Sequence, residues 1–135
     1  MNPNINSIEI ASTLTNIKVV FNWFEETLFN KIIDKEKLNG ISLVIQEALV
    51  NAIVHGNNED ENKKVFISSE LKNNTIILEF KDEGKGIPID NQLKDSSNIQ
   101  SEDLLKDSGR GIILMKHFCT EVNFNKNCLQ LKIEL

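Results

Sequence analysis

Apolar residues change their spacing several times along this chain, and each change predicts an element. Ile8-Glu9-Ile10-Ala11 alternates weakly and reads as a short first strand. Ser12 to Thr15 then supply N-cap residues for a helix in which Ile17, Val20, Phe21, Phe24 and Leu28 recur at helical spacing, with Glu25 and Glu26 opposite. Trp23 falls off that stripe and reads as a half-buried packing residue. Asp34 is placed to cap a second helix running through Gly40 to about Val54, apolar nearly all round and therefore expected to be buried. Gly40 costs such a helix about 1 kcal/mol relative to alanine, which close approach of another backbone would explain.

Beyond the polar stretch Asn57 to Lys64, Val65 to Leu71 and Thr75 to Lys81 form two strand-like runs around the turn Lys72-Asn73-Asn74. Asp82-Glu83-Gly84-Lys85-Gly86-Ile87-Pro88 breaks the second run and leaves Asp82 at its end. The segment 89–108 is mostly polar with few apolar anchors, the composition of a lid. A short apolar helix is expected over Ile112 to Phe118, and Gly109 and Gly111 ahead of it would leave amides open to an anion. His117 reads as a packing or surface residue. Val122 to Phe124, the turn Asn125-Lys126-Asn127, and the faultless alternation of Leu129 to Leu135 predict a closing hairpin.

Composition narrows the classes without choosing among them. A length of 135 residues predicts one domain spanning 1–135, and 40% hydrophobic with 26% charged residues is ordinary for a globular protein. The net charge of −5, with no basic stripe, argues against direct nucleic-acid binding. Cys119 and Cys128 are too few for a disulfide framework and read as free, buried thiols. No apolar run reaches membrane-span length, and Met1 to Ser7 has neither a basic start nor an apolar core, so the expected compartment is the cytoplasm, with no membrane partner.

Candidate chemistry concentrates on the second helix. At about 100° per residue, Glu47 and Asn51 fall roughly 40° apart, one turn from each other, with His55 a further turn along. A carboxylate and an amide on one stripe of an apolar helix need partners, and a cleft holding a metal or ligand would supply them.

In order along the chain stand Glu47-x3-Asn51-x3-His55-Gly56-Asn57, Asp82-x-Gly84-x-Gly86, and Gly109-x-Gly111. Together these motifs resemble the nucleotide-binding boxes of the GHKL ATPase superfamily. Glu-Ala-Leu-Val-Asn-Ala-Ile-Val-His-Gly-Asn, with the run from Asp103 to Met115, looks most like the bacterial anti-sigma factor serine/threonine kinases.

The resemblance implies an α+β fold, a two-layer sandwich of the Bergerat type with a mixed, mostly antiparallel sheet and helices on one face. It implies ATP and Mg²⁺ as cofactors, with Asn51 as metal ligand and Glu47 as general base. Asp82 would accept a hydrogen bond from the adenine amino group, and Gly84, Gly86 and Ile87 would pass close to the nucleotide. His55 would stand near the phosphates. Gly109, Arg110 and Gly111 would meet the phosphates as part of the lid, although Arg110 can equally be read as a solvated side chain.

The implied partners are a sigma factor and an anti-sigma factor antagonist protein, with a homodimer suggested. Two alternatives share the boxes: a module that sequesters a partner with ATP as a structural ligand, and an ATPase subunit. The chain departs from the superfamily's sensor kinases in lacking a helical hairpin with a phosphoacceptor histidine. It departs from the anti-sigma group in having Thr120 where an acidic residue is commoner.

Overall fold

The computed structural model describes residues 5–84 and 107–135, the side chains of 107–112 excepted. Five strands, β1 (Ile5–Ala11), β2 (Lys64–Lys72), β3 (Thr75–Lys81), β4 (Glu121–Asn125) and β5 (Cys128–Glu134), form one sheet in the order β1-β2-β3-β5-β4. Among the described residues every pairing is antiparallel, without the mixed pairing expected. Register follows the alternation: Ile10 faces Val65, Ile67 faces Phe80, Leu78 faces Leu131 and Phe124 faces Leu129. A one-residue slip would turn each of these out of the core. Asn73 and Asn74 both take positive φ, 52° and 62°, as a two-residue hairpin turn between right-twisted strands requires.

Among the described residues three α-helices pack on the sheet: α1 (Asn16–Thr27), α2 (Lys35–Val50) and α3 (Asp107–Phe118). Val20, Phe24 and Leu28 from α1 and its exit, and Ile41, Val44, Ile45, Ala48 and Leu49 from α2, join the inward strand residues in one core. Asp34 caps α2 by accepting from the amides of Glu36 (2.9 Å) and Lys37 (3.3 Å). Before α1, Thr15 makes no side-chain cap bond, and Ser12 bonds elsewhere. Trp23 is half-buried, its ring 4.7 Å from that of Phe24. His117 is exposed and edge-on to Phe118.

Several expectations need correction. The second helix is not buried all round, because Leu43 is 51% exposed. Together with the turn that follows it, the span Lys35–Gly56 does reach membrane-crossing length and hydropathy, yet its buried residues pack in this core. The space Gly40 leaves is filled by the Phe118 ring, not by backbone: a Cβ there would stand 2.5 Å from that ring. Cys119 and Cys128 are free but only half-buried. Burial still pushes the Cys119 thiol up to about 12, which leaves it protonated at neutral pH. The third helix begins at Asp107, so Gly109 and Gly111 lie inside it; the amides of its first turn still lack partners within the helix.

Candidate functional site

Past Val50 the second helix changes character. Asn51–Gly56 is a π-type turn, and the Asn57 amide closes it by donating to the Ala52 carbonyl at 2.9 Å. Such widened turns concentrate at functional sites. Here the turn brings Asn51, Gly56 and Asn57 to the end of the sheet where β1 stops, β2 starts and β3 gives way to Asp82.

Asn51 is buried and its Oδ1 has no hydrogen-bond partner among the described residues. An orphaned buried acceptor costs about 1–3 kcal/mol. A carbonyl-type oxygen of this kind suits Mg²⁺, which is commonly held by few protein oxygens together with phosphates and waters. Among the described residues no three His, Cys, Asp or Glu side chains cluster to hold a metal by themselves. The donor set therefore fits a cation shared with a phosphate ligand.

Asp82 lines the same narrow cleft as Asn51, with Phe80, Phe124, Lys126 and Asn127 around it. The described residues leave this cleft about 20 Å³, room for a single water. Asp82 is buried, and its Oδ1 accepts from the Gly84 amide at 2.9 Å. Burial pushes its pKa up; the Gly84 amide and the Lys63 charge pull against that shift. Its main chain is tied to Asn127 on both sides: the Asp82 amide donates to the Asn127 carbonyl at 3.0 Å, and Asn127 Nδ2 donates to the Asp82 carbonyl.

Glycine is required where this turn meets the helix end. A Cβ on Gly56 would stand 2.2 Å from Asp82 Oδ2, and one on Gly84 would stand 1.9 Å from the Gly56 carbonyl oxygen.

The other expected residues divide. Glu47 is half-buried, one turn before Asn51, and makes no hydrogen bond or ion pair among the described residues. His55 is exposed, in the π turn one turn beyond Asn51. The backbone of Gly109, Arg110 and Gly111 lies near the start of α3. Gly86 and Ile87, and the segment expected to form a lid up to residue 106, lie outside the described residues.

Sequence reasoning gave no site role to Asn57 or Asn127, and read Ser12 only as a candidate helix cap. An asparagine directly after His-Gly at a helix end was a usable signal for Asn57; Asn127, in a hairpin turn, carried none. A wider depression of about 470 Å³ lies on the sheet around Phe66, Glu79 and Cys128, and neither Glu47, Asn51 nor Asp82 lines it.

Comparison with known proteins places the chain in a family and a fold. The family profile described as "Histidine kinase-like ATPase domain" covers residues 10–134. The chain is 37% identical over 87 residues to the anti-sigma F factor of Shouchella clausii (strain KSM-K16), covering 64% of this chain and 59% of that protein. It is 39% identical over 88 residues to the anti-sigma F factor of Geobacillus thermodenitrificans (strain NG80-2), with the same coverage of 64% and 59%. The matched region thus spans about three fifths of the length of these relatives. Among solved structures, the catalytic domain of histidine kinase ThkA shares the fold, with a TM-score of 0.54, 18% identity, and coverage of 96% of this chain and 95% of that one.

Proposed function

The chain belongs to the histidine kinase-like ATPase domain family, and on that basis we propose that it is an ATP- and Mg²⁺-dependent serine/threonine protein kinase that binds a sigma factor and phosphorylates an antagonist of that binding. The observation that carries the reading is the buried Asn51 Oδ1, without a partner among the described residues, one helical turn beyond a Glu47 carboxylate that has none among them either. The anti-sigma F factor names of the relatives support the sigma-factor partner. The protein acts in the cytoplasm, as a homodimer, without touching nucleic acid.

Each residue takes a distinct task. Asn51 would hold the cation through Oδ1, and the chemistry such an ion would supply there is neutralisation of phosphate charge. Glu47 takes the proton from the acceptor hydroxyl as that oxygen bonds to the γ-phosphorus and the bond to the bridging oxygen breaks, leaving ADP. Asp82, ionised, accepts from the adenine amino group. The first turn of α3 offers main-chain amides to the phosphates, and the remaining work is positioning.

The test is capture of partners from extract of the native cell on the immobilised protein, followed by incubation with γ-labelled ATP. Recovery of a sigma factor with label on a second, small protein is the expected result. Recovery without label would make the protein a sequestering module that keeps ATP as a structural ligand. Absence of ATP binding would overturn the kinase reading.

A further inference from the structure

Asn57 is fully buried, and every polar atom of its side chain is engaged. Its Nδ2 donates to Ser12 Oγ at 2.6 Å and to the Lys64 carbonyl at 3.0 Å. Its Oδ1 accepts from the Glu83 amide at 2.8 Å. Ser12 Oγ in turn donates to the Lys63 carbonyl at 2.7 Å. One side chain therefore ties the end of β1, the start of β2 and the Asp82-Glu83-Gly84 turn to the end of the second helix.

We propose that Asn57 is a positioning residue for base recognition: by holding the Glu83 amide it fixes the turn that aims the Asp82 carboxylate, and so sets the preference for adenine without touching the nucleotide. The inference rests on the reading of Asp82 as the adenine acceptor.

Two consecutive amides of the turn are committed in different directions, Glu83 N–H to Asn57 and Gly84 N–H to Asp82 Oδ1. With both bonds in place the carboxylate has one orientation, its Oδ2 over Gly56. Without the first bond, the Glu83 amide loses its buried Asn57 acceptor and the turn is free to rotate about the bonds to Asn127. Fully satisfied buried networks of this kind specify a single geometry. Only an amide of this length serves all three partners: aspartate keeps the acceptor and loses both donors, and alanine loses everything.

The experiment measures dissociation constants for ATP and GTP, each with Mg²⁺, on the full chain. The proteins are the wild type, Asn57→Ala, Asn57→Asp, Ser12→Ala, Asp82→Asn, and Asn57→Ala combined with Asp82→Asn. Asn57→Ala is expected to narrow the ATP-over-GTP ratio roughly ten-fold or more, the worth of a charge-assisted hydrogen bond. Asn57→Asp and Ser12→Ala keep the Glu83 contact, so both should lose thermal stability and retain the wild-type ratio. In the Asp82→Asn background, Asn57→Ala should narrow the ratio no further, because its effect passes through Asp82.

An unchanged ratio in Asn57→Ala, or the same narrowing in Asn57→Asp, overturns the inference. If Asn57→Ala does not fold, loss of the ratio in folded Asn57→Asp or Ser12→Ala overturns it, and retention in both supports it. A wild type without adenine preference overturns the underlying reading of Asp82, and the inference with it. A preference abolished by Asp82→Asn and untouched by Asn57→Ala overturns the inference alone.

Discussion

Gly84 and Gly56 lie in such close contact that a single methyl group on Gly84 would stand 1.9 Å from the Gly56 carbonyl oxygen. Two motifs separated in sequence are thereby one packed unit, beside the cleft that Asn51 and Asp82 both line. Gly84→Ala must displace backbone, a change that typically costs about 1–3 kcal/mol. Thermal denaturation should show a clear loss of stability, and ATP affinity should fall with it. A Gly84→Ala protein with wild-type melting temperature and wild-type affinity would mean the two turns are not in contact.

Asp82 gives a pH signature with two opposite signs. Burial raises its pKa above the ordinary 3.8, so the folded chain holds that proton more tightly than the unfolded chain. Its contribution to stability is greatest below 3.8 and is lost as pH rises through the raised value. Acceptance from adenine needs the carboxylate, so ATP affinity falls as pH drops through that same value. Titration of ATP binding should show this acid limb, and Asp82→Asn should bind less tightly by about 1–3 kcal/mol at neutral pH with the limb removed. An acid limb that survives in Asp82→Asn would assign it to another group.

Asn51 and Glu47 separate binding from chemistry. Asn51→Ala removes an orphaned acceptor, so the ligand-free protein should lose little stability even as Mg²⁺-dependent ATP binding falls sharply. Glu47→Gln should bind ATP normally and transfer phosphate roughly 10²-fold more slowly. Calorimetry and a single-turnover assay read the two effects independently. Normal transfer by Glu47→Gln would end its assignment as base.

Gly40→Ala tests the helix contact. In an open helix the change would stabilise by about 1 kcal/mol, but here the new methyl meets the Phe118 ring at 2.5 Å. The single variant should be less stable than wild type. In a Phe118→Leu background the same change should become neutral or stabilising, a coupling that a double-mutant cycle measures directly. Additive effects would show that the ring does not occupy the notch.

Much of this was legible from residue pattern because pattern and packing agree. The alternation from Leu129 to Ile133 reappears as buried and half-buried positions in β5, and Asp34 caps where its place predicts. The antiparallel five-stranded sheet with helices follows the resemblance, apart from the mixed pairing. The failures have physical causes. Periodicity cannot distinguish an α turn from a π turn over six residues, so the change of helix type at Asn51–Gly56 carried no signal. Glycine reads as a helix breaker, which hid the true start of α3. Asn57 and Asn127 act through bonds to main chain distant in sequence, and no local pattern announces those.

The contact between Gly40 and Phe118 also has a mechanical side. Phe118 ends the helix that carries Gly109 and Arg110 near its start, and a ring seated in a notch resists sliding far more than swivelling. The third helix is therefore a lever with its fulcrum at Phe118. Its twelve residues give an arm of about 18 Å. A tilt of roughly 5° swings the far end by about 1.5 Å, enough to make or break a hydrogen bond at its first amides.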